Sequence, residues 1–159
     1  MQLSLFNASI NKLNYAATAI LYAALWYSAV VAAVIIFFSD QSLDEELSTT
    51  PIRALGSLGF GAVVAPLIEN FIFTSALKLY ADSNPKMTAF IAAAIAAALH
   101  APRRSFFSFG LFYIIAAVYL THFKKNPKYA FFLGFYIHSV CNFPASVIPL
   151  LYATGLLAK

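Results

Sequence analysis

Five apolar runs separated by short polar breaks dictate what this chain can fold into. The runs extend from about Leu13 to Phe38, Leu55 to Tyr80, Met87 to Ala101, Phe106 to Thr121 and Tyr129 to Leu157. A helix needs roughly 20 apolar residues to cross the hydrocarbon core of a bilayer. The third and fourth runs are short by that measure, so they must tilt little, borrow flanking residues or stop part-way inside protein. The breaks, "SDQSLDEELSTTP", "ADSNPK", "APRR" and "KKNPK", carry turn chemistry. The first run is too long for a signal-peptide core and has no persuasive cleavage site, so it is expected to be retained. Charged residues make up only 10% of the chain, where a soluble domain carries about 25%. The expected fold is all-α, a polytopic membrane helix bundle of about five transmembrane helices. Residues 1–159 form one integral-membrane domain, with 1–50 as an extra N-terminal helix and acidic loop and 51–157 as a four-helix core.

The small net charge of +4 sits in lysines and arginines between the apolar runs. That is the pattern of loops that set membrane orientation, and it excludes a nucleic-acid surface. With five spans, one side holds Lys12, Lys78, Lys86, Lys124, Lys125 and Lys128. The other holds Arg53, Arg103, Arg104 and Lys159 with the acidic Asp40, Asp44, Glu45 and Glu46. The excess of positive charge on the first side places the N-terminus in the cytoplasm. The one cysteine, Cys141, forbids an internal disulfide, and its simplest role is packing.

Few residues inside the apolar runs are strongly polar: Glu69 and Asn70 in the second, His100 at the end of the third, His138 and Asn142 in the fifth. Ionisable groups within a membrane are expensive, face protein or trapped water, and mark function by default. His138 and Asn142 are four residues apart and so share a helix face. Ala93, Ala96 and Ala97 before His100 are small, which lets helices approach closely. Pro66 loosens the helix one turn before Glu69. Gathered in one pocket, these groups have a specific chemistry. A carboxylate takes a proton from water, a neutral histidine aligns that water, and a second histidine with an asparagine amide donates to the oxyanion formed at a carbonyl. Structural roles are open beside this one. Glu69 with Asn70, and His138 with Asn142, could clamp helices by hydrogen bonds, and His100 could sit at an interface.

Other chemistries fit less well. No aspartate lies in an apolar run, which excludes a two-aspartate intramembrane protease. There is no HExxH zinc helix, and "LGSLGF" around Ser57 lacks the spacing of a rhomboid-type serine site. No cofactor is required, although Glu69, His100 and His138 form a set that suits a divalent metal such as zinc. Haem ligation by two histidines leaves the buried Glu and the His-xxx-Asn pair without a role.

The order of these residues resembles the CAAX protease and bacteriocin-processing family of intramembrane proteases. Its motifs EExxxR, FxxxH and HxxxN look like "ENFIFT" at 69–74, "AAALH" at 96–100 and "HSVCN" at 138–142. The separations are 31 residues from Glu69 to His100 and 38 from there to His138, and "FSFGLFYIIAAVYL" is similar to the family's Gly-containing helix between them. The resemblance covers about Pro51 to Leu151. It implies an endopeptidase with Glu69 as the water-activating base, His100 as its partner and His138 with Asn142 as the oxyanion site. It also implies a peptide or protein substrate in or at the membrane, lipids as the surroundings, and a bacterial inner membrane as the location. Asn70, Thr74 and Ala96 replace the family's second Glu, Arg and Phe. Removing both members of a buried ion pair can be nearly neutral, and a hydrogen bond between Asn70 and Thr74 is expected in its place. If the pair served catalysis, the alternative is a catalytically degenerate relative acting as a small membrane binding or immunity protein.

Overall fold

A computed structural model describes residues 5–6, 12–38, 50–100 and 102–156. The acidic loop with Asp40, Asp44, Glu45 and Glu46 lies outside these residues, as do Lys159 and the side chains of Lys12, Arg103 and Arg104. The described chain is all helical: α1 Lys12–Phe38, α2 Pro51–Lys78, α3 Pro85–Ala98, α4 Pro102–His122 and α5 Pro127–Ala153.

The polar breaks are where helices begin. Thr50 Oγ1 accepts from the Arg53 N–H at 3.4 Å. Asn84 Oδ1 accepts from Lys86 and Met87 at 3.1 and 3.3 Å, and Asn126 Oδ1 from Tyr129 at 3.0 Å. In each case a proline follows the cap, where its missing N–H leaves no bond unmade. Helices therefore start upstream of the apolar runs. The fourth run grows into α4, whose Ser105–His122 stretch is long and apolar enough to cross a membrane, as are α2 and α5. The third run stays short, with 14 helical residues in α3, about 21 Å of rise.

The five helices pack around α4. Every residue from Ile114 to Tyr119 is buried, the mark of a helix enclosed on all sides, and α4 touches each of the other four helices. α3 lays Ala89, Ala93, Ala96 and Ala97, all buried, along the seam it shares with α4. α1 docks through Trp26, which stacks on Phe106 with ring centroids 5.5 Å apart. Its Nε1–H donates to the Phe107 carbonyl at 3.1 Å, and the indole fills the space that a Cβ at Gly110 would take. The outer surface is apolar instead: Leu55, Phe71, Ile72, Ile95 and Phe132 are each more than half exposed. With three helices able to cross a membrane, this is an integral-membrane bundle whose greasy exterior suits lipid.

One end of the bundle gathers the N-terminal turn and two loops. The Leu5 carbonyl accepts from Tyr15 Oη at 2.5 Å and from Thr121 Oγ1 at 2.9 Å. Lys124 Nζ donates to Asp82 Oδ1 at 2.5 Å, joining the α2–α3 and α4–α5 loops. The N-terminal turn and these two lysine-bearing loops thus share one end, as the sequence leads one to expect.

Candidate active site

α2 is not a uniform α-helix. Phe60–Val64 forms a π turn between Pro51–Gly59 and Ala65–Lys78, with the Ala65 N–H bonded to the Phe60 carbonyl five residues back. The loosening expected before Glu69 takes this form. Below the turn, α2 presents Pro66, Asn70, Thr74 and Leu77 to the bundle, and Glu69 lies at the edge of that buried face. Glu69 is nine residues from the helix end at Lys78, or about 14 Å along the axis.

Three of the four expected site residues meet at one atom. His138 Nε2 lies 3.5 Å from Glu69 Oε2, and His100 Nε2 lies 4.0 Å from the same oxygen. The short α3 makes this possible. It ends at Ala98, so His100 enters the bundle from the tight α3–α4 turn, which Ser105 Oγ closes by donating to the His100 carbonyl at 3.2 Å. The His100 side chain is 30% exposed and that of Glu69 40%, while His138 is buried. The site is open on the Glu69–His100 side and sealed behind His138.

His100 Nδ1 is 2.7 Å from the Ala96 carbonyl. A carbonyl only accepts, so Nδ1 carries a proton; when the ring is neutral, Nε2 turns a lone pair towards Glu69. His138 Nδ1 is buried with no partner among the described residues. An unpaired lone pair is easier to bury than an unpaired N–H, which favours the tautomer with the proton on Nε2, facing the carboxylate.

Sequence reasoning missed the floor of the site. Phe112 of α4 packs against both imidazoles, with centroids 5.6 Å from His100 and 5.3 Å from His138, and against Phe73 at 4.8 Å. It also missed His122, buried at the end of α4 edge-on to Tyr15 and Tyr129, because that residue sits just past the apolar run.

Asn142 is placed differently from its expected partners. It lies one turn from His138, but its Nδ2 donates to the Gly61 carbonyl at 3.4 Å, in the π turn. The expected Asn70–Thr74 pairing is corrected as well. Thr74 Oγ1 donates to the main-chain carbonyl of Asn70 at 2.7 Å. The Asn70 amide instead crosses to the Phe131 carbonyl at 3.1 Å. Gly134 allows this approach, since a Cβ there would lie 3.2 Å from Asn70 Oδ1. The physical reason is local. A threonine in a helix reaches its own i−4 carbonyl more readily than the side chain at that position.

Cys141 is buried. It lines an apolar cavity of about 190 Å³ between α1 and α5 with Ile20, Ala23, Tyr27, Ile137 and Pro144, which is a packing environment. Glu69, His100 and His138 are the set that the sequence offers to a divalent metal. Among the described residues, however, no three His, Cys, Asp or Glu side chains are arranged to hold a metal ion. No family model, curated protein or solved structure matches this chain.

Proposed function

We propose that the chain is an intramembrane endopeptidase in which Glu69 activates water. The observation that carries this reading is the convergence of two imidazole Nε2 atoms on one Glu69 oxygen, at 3.5 and 4.0 Å. The carboxylate and the His100 lone pair are both acceptors, so a group that donates to both fits between them. A water molecule does so and keeps an oxygen lone pair for attack. As that oxygen bonds to a peptide carbonyl carbon, its proton passes to Glu69 and the carbonyl oxygen becomes an oxyanion. On collapse the C–N bond breaks and Glu69 returns the proton to the leaving amine. With its proton on Nε2, His138 faces the carboxylate at 3.5 Å and is a donor for an oxyanion forming beside it. Asn142, engaged with Gly61, supports the helix behind the site.

This reading agrees with the resemblance to CAAX-type endopeptidases, and with it come a bacterial inner membrane and a cytoplasmic N-terminus. Cysteine labelling should then reach the "KKNPK" loop only from the cytoplasm and the "DQSLDEE" loop only from outside. A second reading, a non-catalytic binding or immunity protein, is favoured by the Asn142 amide being bonded to backbone. The test is hydrolysis of a peptide library by the purified protein in nanodiscs, followed by mass spectrometry. Glu69→Gln keeps the shape and removes the base, so turnover should fall by about 10² to 10⁴. Absence of cleavage by the native chain would decide for the second reading, and cleavage undiminished by Glu69→Gln would remove Glu69 as the base.

A further inference from the structure

The face that α2 buries poses a geometric problem. Ala54, Ala62, Pro66, Asn70 and Thr74 are buried, with half-buried Leu58 between the first two, at a strict spacing of four residues. Each four-residue step on an α-helix advances the side chain by about 40° beyond a full turn. Over the five steps from Ala54 to Thr74, a uniform α-helix would sweep this face through about 200°. The two ends would then point to nearly opposite sides, one into the bundle and the other into lipid. A π turn takes in one extra residue and so sets the following helix back by about 100°. Both halves of α2 can then face α5, as they do.

The turn leaves a carbonyl stranded. In an α-helix Gly61 O would accept from the Ala65 N–H, but that donor is bonded to Phe60 O. In a continuing π-helix it would accept from residue 66, which is proline and has no N–H. A buried carbonyl without a partner is unfavourable, more so where lipid replaces water. Asn142 Nδ2 donates to this atom.

We infer that the π turn sets the rotation which brings Glu69 to the histidines, and that Asn142 is a positioning residue that holds the turn by capping Gly61 O. This does not rest on the site hydrolysing peptides. It differs from the oxyanion role that the family motif implies for the same residue.

The test combines a double-mutant cycle with a register signal. Asn142→Ala strands Gly61 O and should lower Tm in detergent by about 2 to 8 °C. Pro66→Ala returns a backbone N–H whose α acceptor is Ala62 O and whose π acceptor is Gly61 O. With Asn142 gone the unpaired Gly61 O should draw it, so Asn142→Ala should lose less than half as much in the Pro66→Ala background. Histidine ¹⁵N resonances report whether Glu69 still faces the imidazoles, with Glu69→Gln as the reference for its loss. In Asn142→Ala the His100 and His138 signals should move towards that reference, and in the double variant they should return. Should Asn142→Ala fail to fold, a folded double variant is the same rescue. Equal losses in both backgrounds, histidine signals unmoved by Asn142→Ala, or failure of both variants to fold would each overturn the inference.

Discussion

Along the α3–α4 seam, four buried alanines of α3 lie against a helix enclosed on every side. Along the α2–α5 seam, Asn70 donates to Phe131 O, Asn142 donates to Gly61 O, and Glu69 faces His138. Both seams are inside a bundle whose exterior is apolar, and burying apolar surface gives membrane helices little reason to associate. The alanine seam gains from close packing, which has no preferred point along its length. The polar seam is fixed atom to atom, so α2 is set in both rotation and depth against α5. Glu69 and His138 belong to the second seam, and His100 reaches the same carboxylate oxygen from the α3–α4 turn. α1 joins by a third means, an indole laid over a glycine.

If the polar seam is specified by neutral hydrogen bonds, a lone charge within it should have the largest effect. Thr74 is 3% exposed, and Thr74→Arg would bury an unpaired cation one turn from Asn70, destabilising the protein by about 3–5 kcal/mol. Adding Asn70→Glu should recover part of that loss, with a coupling of about 1 kcal/mol or more in a double-mutant cycle on thermal unfolding in detergent. Simple additivity would mean that side chains at 70 and 74 do not reach each other. That would break the alignment of this segment with the EExxxR motif.

The apolar side of the comparison should yield a smaller loss with a different signature. Gly110→Ala places a methyl group where the Trp26 indole sits. The overlap should destabilise by about 1–3 kcal/mol, mainly by lifting α1 from α4. Trp26 is the only tryptophan in the chain, so its emission should shift as the indole leaves Phe106 and Phe107, while the histidine ¹⁵N signals stay in place. Unchanged emission would show that α1 is not docked through this residue. Movement of the histidine signals would show that the two seams are not independent.

What could be read from the sequence divides along the same line. The helices were legible because an apolar run in a membrane must satisfy its backbone polar groups within itself, and runs this long, bounded by turn chemistry, do so as helices. Glu69, His100 and His138 were legible because an ionisable residue in such a run needs a partner. Helix starts were not, since an apolar count passes over the polar caps Thr50, Asn84 and Asn126. Nor was Phe112, one of 16 phenylalanines, marked by anything in its surroundings. The partners of Thr74 and Asn142 escaped for a deeper reason. Spacing says which residues share a face, but Thr74 turns back on its own helix and Asn142 answers a defect in another. The trace of that defect is the proline five residues after Gly61, which becomes meaningful once the π turn is seen.

The smallest expected effect lies outside both seams, at the end of the bundle. Lys124 and Asp82 form an ion pair at 2.5 Å with side chains 64% and 92% exposed. The lysine's hydrogen bond and charge hold the Asp82 carboxyl below its ordinary value of 3.8. A lowered folded value means that any stabilisation is fully present above the unfolded value and is lost as pH falls through the folded one. The window is therefore below about pH 4. A pair this exposed is screened by water and salt, so it should add nothing to any change of Tm between about pH 7 and 5, and Lys124→Gln should leave Tm unchanged. What the pair reports is topology. A carbodiimide should join Asp82 to Lys124 within one chain, with loss of one water, giving a peptide that links the α2–α3 and α4–α5 loops. Lys124→Gln should abolish the product. If the native chain gives no such peptide, the two loops do not lie at one end, and the helix order that aligns the polar seam falls with them.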